Sequence, residues 1–141
     1  MSPAFPNLGW AVAWGLLAVA IALGLAAELS SPSLYDLVPC YDEALHAFFT
    51  LSLTLVLAHL LYSACLTGAH EHPLLLLLAL TLIALGAGAI WELGEWLYDL
   101  ALPGQQIQGK RDTMLDLACD LGGGLAGAGI ALWYLRRGAR P

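Results

Sequence analysis

The chain has 141 residues, 60% of them hydrophobic and 11% charged, with a mean hydropathy of +0.75. A water-soluble domain of this length does not carry so large an apolar excess. A net charge of −6 with five Lys and Arg in all argues against a nucleic-acid partner, and three scattered cysteines (Cys40, Cys65 and Cys119) imply no disulfide framework.

A membrane-spanning helix needs about 20 mainly apolar residues. Four stretches qualify: about residues 8–29, 41–66, 73–100 and 112–135. They predict an all-α, polytopic membrane protein: a compact bundle of four transmembrane helices in one integral membrane domain over residues 1–141. The first stretch has no Lys or Arg before it, so it lacks the positive leader of a secretory signal peptide and reads as a retained helix. It ends at Glu28, and Asp36 follows in the next connection.

The second span begins "YDEALHAFF". Asp42 and His46 are four residues apart, one above the other on a helix. His59 lies about four turns deeper and reads as structural. The loop "GAHEH" contains His70, Glu71 and His72, which read as a solvated turn. The third span closes with "GAGAIWELGEW". Its Glu92, Glu95 and Asp99 follow helical spacing, and Trp91 and Trp96 read as interface anchors. "LPGQQIQG" is a turn. The last segment opens "KRDTMLDLACDLGGG", with Asp112, Asp116 and Asp120 in one stripe. Gly123 and Gly127, with Gly86 and Gly88 on the third span, supply the small surfaces that let helices approach closely in lipid.

Adjacent spans run antiparallel, which puts ten of the eleven acidic residues at one membrane face, with Glu71 alone at the other. Basic residues are three at the C-terminal tail (Arg136, Arg137, Arg140) against two before the fourth span (Lys110, Arg111). The positive-inside rule then predicts cytoplasmic termini and an outward-facing acidic site.

An acid at the bilayer centre costs about 2.5–3.5 kcal/mol on insertion scales, so such groups face a bundle interior or a wet cavity. Asp42 and Asp112 also suit a helix N-terminus on dipole grounds alone. Glu92, Glu95 and Asp99 do not, because they lie toward a helix C-terminus, where the dipole disfavours anions. Lys110 and Arg111 are too few to neutralise so many carboxylates. Three readings stay open: protonated acids, a structural polar network, or a divalent cation. For the last, Glu92, Glu95, Asp112 and Asp116 are the expected ligands. Their oxygens suit Mg²⁺ or Mn²⁺ before Zn²⁺. Asp42, His46 and Asp116 are the expected catalytic groups, and Lys110, Arg111 and Asp120 the expected substrate contacts.

The segments "YDEALHAFF", "WELGEW" and "KRDTMLDLACDLGGG" together resemble the VanZ-like superfamily of small polytopic membrane proteins. The likeness is closer to the YjdF-type inner-membrane proteins, with their "WE–EW" element and late "G–DT––D" element. It covers about residues 36–130. Glu95 stands where VanZ-like proteins usually have Gln, and Asp120 where they usually have Asn. The resemblance implies a bacterial inner-membrane location and a link to glycopeptide resistance, and it names no reaction. The "D–––D" spacing is also found in membrane CDP-alcohol phosphotransferases, but the Gly-and-Arg part of their signature is missing.

Two functions follow as expectations. One is a metal-dependent enzyme acting on a lipid or lipid-linked phosphate, with membrane lipids as its surroundings. The other is a non-catalytic protein that binds a lipid-linked cell-wall intermediate, a glycopeptide or a cation.

Overall fold

Five helices account for the fold in this computed structural model, which describes residues 7–64, 71–102, 107 and 109–138. Four are long: α1 (Asn7–Leu29), α3 (Tyr41–Ala64), α4 (Pro73–Ala101) and α5 (Lys110–Gly138). Each contains a span apolar and long enough to cross a membrane: Gly9–Leu29, Tyr41–Leu61, Pro73–Ala101 and Lys110–Arg137. Among the described residues there is no strand. The expected all-α bundle of four transmembrane helices is therefore present, and its helices lie close to the predicted boundaries. Gln105, Gln106, Gln108, His70 and Cys65 lie outside the described residues.

The sequence reading missed α2 (Leu34–Leu37), a single turn between the first two spans. Its N-cap is Ser33, whose hydroxyl accepts from the Tyr35 amide at 3.3 Å. Cys40 then takes a left-handed backbone conformation, φ 58°, as the chain turns into α3. Gly109, with φ 127°, does the same before α5, where glycine meets no steric penalty. Asp99 completes that connection by accepting the Ile107 amide at 3.0 Å. The α5 ends match the helix dipole: Asp112 lies in the first turn, Arg136 and Arg137 in the last.

The bundle centres on α5, which packs against both α3 and α4. Its span has the lowest hydropathy of the four and the largest buried share, 44% against 22% for α1. Lipid tails are as apolar as leucine, so helices associate through close packing and polar contacts instead of by escape from water. The glycines of α5 provide that closeness. A Cβ on Gly123 would overlap the Ala47 carbonyl oxygen and the Thr50 hydroxyl of α3. One on Gly127 would lie 2.7 Å from the Leu51 carbonyl oxygen, and one on Gly124 would lie 2.9 Å from Ala84 Cβ of α4. Beyond these contacts an apolar cluster fills the interface: Ala58, Leu76, Leu80, Ala128, Ala131, Leu132 and Leu135.

Helix α1 packs against α3 and α2. Ala13, Leu17 and Val56 form the core of that contact, extended by Trp10, Phe49 and Leu53. Trp10 also stacks on His59, ring centroids 4.0 Å apart, consistent with the structural role expected for this histidine. Tyr41 Oη donates to the Leu23 carbonyl at 3.0 Å and ties the two helices at the acidic end. The outward faces carry large apolar residues, Leu29, Leu74 and Ile90 among the most exposed, as lipid contact requires.

Candidate functional site: a buried histidine among carboxylates

Because α3 and α5 start at the end of the bundle where α4 finishes, their polar stripes meet there. Asp116 is six residues into α5 and Glu92 nine residues before the end of α4. At about 1.5 Å per residue, these are depths of about 9 Å and about 14 Å below the helix ends. Both are buried, with 3% and 6% of their surface exposed, and Asp120 and His46 are buried with them.

His46 is the hub. Its Nδ1 is 3.2 Å from Asp120 Oδ1, a hydrogen bond between side chains 74 residues apart in sequence. Its Nε2 lies 3.7 Å from Asp42 Oδ1 and 3.8 Å from Glu92 Oε1. These separations are too long for a hydrogen bond. Asp42, His46 and Asp116 each offer a ligand atom, and those atoms lie within 4.8 Å of one another. Among the described residues, the ion pairs of Asp42, Glu92 and Asp120 are all with His46. Among the described residues, three buried carboxylate oxygens have no hydrogen-bond partner: Glu92 Oε1, Asp116 Oδ1 and Asp120 Oδ2. An unpartnered buried polar atom costs about 1–3 kcal/mol, more when charged, so three in one place need a reason.

The site has a direction. The Asp42 side chain is 35% exposed and forms the mouth; Asp120, at 1%, is the floor. Tyr35 of α2 lies near enough to Asp42, Glu28 and Glu95 to feel their charges. Burial, and then the Asp42 carboxylate, hold its phenol well above the ordinary tyrosine range, so it stays neutral at the mouth.

The floor is shaped by Gly88. A Cβ there would overlap the Asp120 carboxylate, so only glycine on α4 leaves room for it. Below His46, Thr50 returns its hydroxyl to the His46 carbonyl at 2.8 Å, and Thr54 to that of Thr50 at 2.6 Å. These hydroxyls continue the polar side of α3 inward without adding unpaired groups.

The structure therefore brings together Asp42, His46, Glu92, Asp116 and Asp120. Other residues singled out from the sequence lie differently. Glu95 is partly buried and accepts the Trp91 indole N–H at 2.8 Å, a pairing legible from their i, i+4 spacing. Asp112 is half-buried in the first turn of α5, outside the close trio. Lys110 and Arg111 are exposed. Asp116, expected as both a catalytic group and a cation ligand, is sealed from the surface. Gly88 was read only as a packing residue, and nothing in one sequence pairs it with Asp120. Thr113, a hydrogen-bond partner of Glu92, gave no signal beyond being a threonine on the polar stripe.

A carboxylate set joined by one imidazole can hold a divalent cation, share protons, or stand as a polar network. No curated protein and no solved structure matches the chain. A family model described as Predicted membrane protein (DUF2238) matches residues 6–137, nearly the whole chain, including every residue of the site. With four membrane-length helices around that site, the chain belongs to this family of membrane proteins.

Proposed function

We propose that this protein binds one divalent cation among Asp42, His46, Glu92 and Asp116, and presents it to the phosphate of a lipid or lipid-linked substrate at one membrane surface. The observation that carries the reading is the set of buried oxygens without partners, Glu92 Oε1 and Asp116 Oδ1, beside an imidazole nitrogen already facing two carboxylates. A cation supplies the missing partner for all of them. One positive imidazole could not balance four carboxylates. A bound ion would neutralise a phosphate and polarise it toward attack.

The residues divide the work. Asp42 at the mouth meets whatever enters. Asp116 and Glu92 hold charge in the dry interior. Lys110 and Arg111, exposed near the start of α5, are within the same membrane face and suit an anionic headgroup. The VanZ-like resemblance supports the same residue set, and the YjdF-type likeness supports a bacterial inner-membrane setting in one integral domain. The basic-residue bias supports cytoplasmic termini and an outward site. Reporter fusions between α4 and α5 and at the C-terminus test it: an outward reporter is expected at the first and a cytoplasmic one at the second, and the reverse pattern overturns the assignment.

A second reading is a binding protein without turnover. It is favoured by the placement of Lys110 and Arg111, which are exposed and do not pair with Asp42, Glu92 or Asp120. Purified protein in nanodiscs, assayed for phosphate release from lipid phosphates with and without Mn²⁺, separates the two. Cation-dependent release supports the enzyme. Tight cation binding without release over a broad lipid panel supports the binding protein. Absence of cation binding defeats the cation site and leaves a structural network or a protein that binds a lipid-linked ligand without an ion.

A further inference from the structure

The contacts of His46 carry an inference about which ion the site takes, resting on the cation reading above. Nδ1 is 3.2 Å from Asp120 Oδ1, hydrogen-bond distance to a buried acceptor. The ring proton therefore belongs on Nδ1, and the lone pair of the neutral ring lies on Nε2. That nitrogen faces Asp42 Oδ1 at 3.7 Å and Glu92 Oε1 at 3.8 Å. A proton on Nε2 would reach neither oxygen well. An ion about 2.1 Å from each ligand atom spans such gaps, since neighbouring ligands on one metal lie about 3–4 Å apart.

We propose that Asp120, seated on Gly88, is a positioning residue that aims His46 Nε2 at the ion, and that the site therefore selects a transition-type divalent cation such as Mn²⁺, Fe²⁺ or Zn²⁺ over Mg²⁺. Carboxylate–imidazole–metal relays of this form fix the ring's tautomer and raise the basicity of the ligating nitrogen. Mg²⁺ prefers an all-oxygen octahedron that keeps several waters, and a buried imidazole serves it poorly. The all-oxygen set expected from the sequence pointed the other way. The pocket for Asp120 is built for the purpose. The Cα–H of Gly88 occupies the direction where any other residue would place a Cβ against the carboxylate. Asp120 Oδ2, buried and without a hydrogen-bond partner, rests there, so its other oxygen stays fixed on His46.

The test uses the full chain in nanodiscs, with apparent affinities for Mn²⁺, Zn²⁺ and Mg²⁺ measured by competition and with Co²⁺ absorption as the reporter of nitrogen ligation. The wild type is expected to bind Mn²⁺ or Zn²⁺ at least about 100-fold more tightly than Mg²⁺. Asp120→Asn, close in shape, should weaken Mn²⁺ and Zn²⁺ by about 10–100-fold while leaving Mg²⁺ unchanged. Gly88→Ala removes no ligand atom and should reproduce that loss by displacing Asp120. In the Asp120→Ala background, Gly88→Ala should add little, because the overlap with the carboxylate is gone and only a tight 3.1 Å approach of the two Cβ atoms remains. A wild type that binds Mg²⁺ as well as Mn²⁺, or an Asp120→Asn variant with unaltered selectivity, overturns the inference and leaves the cation reading intact. Failure to bind any of the four ions overturns both. Should Gly88→Ala not fold, Asp120→Asn decides alone.

Discussion

The same three helices, α3, α4 and α5, build two different interiors. Toward one end, His46, Glu92, Asp116 and Asp120 lie buried together, with three carboxylate oxygens unpartnered. Toward the other, Ala58, Leu76, Leu80, Ala128 and Ala131 fill the same interface with methyl groups and leucine. Between them the glycines of α5 press against the carbonyls of α3. The contrast separates stability from function. The apolar end and the glycine seam hold the helices together by close packing. The polar end opposes that, since buried charge is expensive even when paired. On the cation reading proposed above, the chain keeps this end, beside an interface that leucine could fill, for the ion it binds.

Substitutions at the two ends and along the seam test this contrast. The largest effect falls on the seam. Gly123→Leu drives a side chain into the Ala47 carbonyl, which cannot turn aside, and the expected result is no folded, monodisperse protein after purification. In the apolar end, Leu80→Ala empties a fully buried position and should lower stability by about 2–5 kcal/mol, read by denaturation in mixed micelles. The folded fraction should bind cation as the wild type does. At the polar end the sign reverses. Asp116→Asn removes a buried charge, so in chelator-treated buffer the thermal midpoint should hold or rise, by the equivalent of about 1 kcal/mol at most, while cation binding is lost. A destabilised Asp116→Asn variant that still binds cation would make the two ends alike and defeat the contrast. The smallest effect belongs to Lys110→Gln and Arg111→Gln. Both residues are exposed, and stability should move by less than about 0.5 kcal/mol. A weakened affinity for anionic lipid in flotation assays, with cation binding unchanged, is the expected signature.

Much of this architecture is legible in the sequence. Apolar run length locates four spans, because the bilayer imposes it. Antiparallel order and helical spacing then place the acids on one face and point Asp42, His46, Glu92 and Asp116 inward. What spacing does not give is the rotation of each helix about its axis. Glu95 is only three residues from Glu92, yet it turns to Trp91 on its own helix. The difference is set by how α4 seats on α5, which depends on Gly88 and Gly124. The pairing of His46 with Asp120 crosses 74 positions and needs the same packing to be known. The short α2 was missed because one turn has no period; only Ser33, placed to cap it, hinted at it.

The central claim is a cation held among Asp42, His46, Glu92 and Asp116, and it can be seen directly. An experimental structure of the protein with Mn²⁺, recorded above and below the manganese absorption edge, gives an anomalous difference map. The account predicts a single strong peak per chain, about 2.1–2.3 Å from His46 Nε2 and from oxygens of Asp42 and Asp116. A map with no peak among these residues, or with manganese bound only at exposed acids such as Glu28 or Glu71, would contradict it.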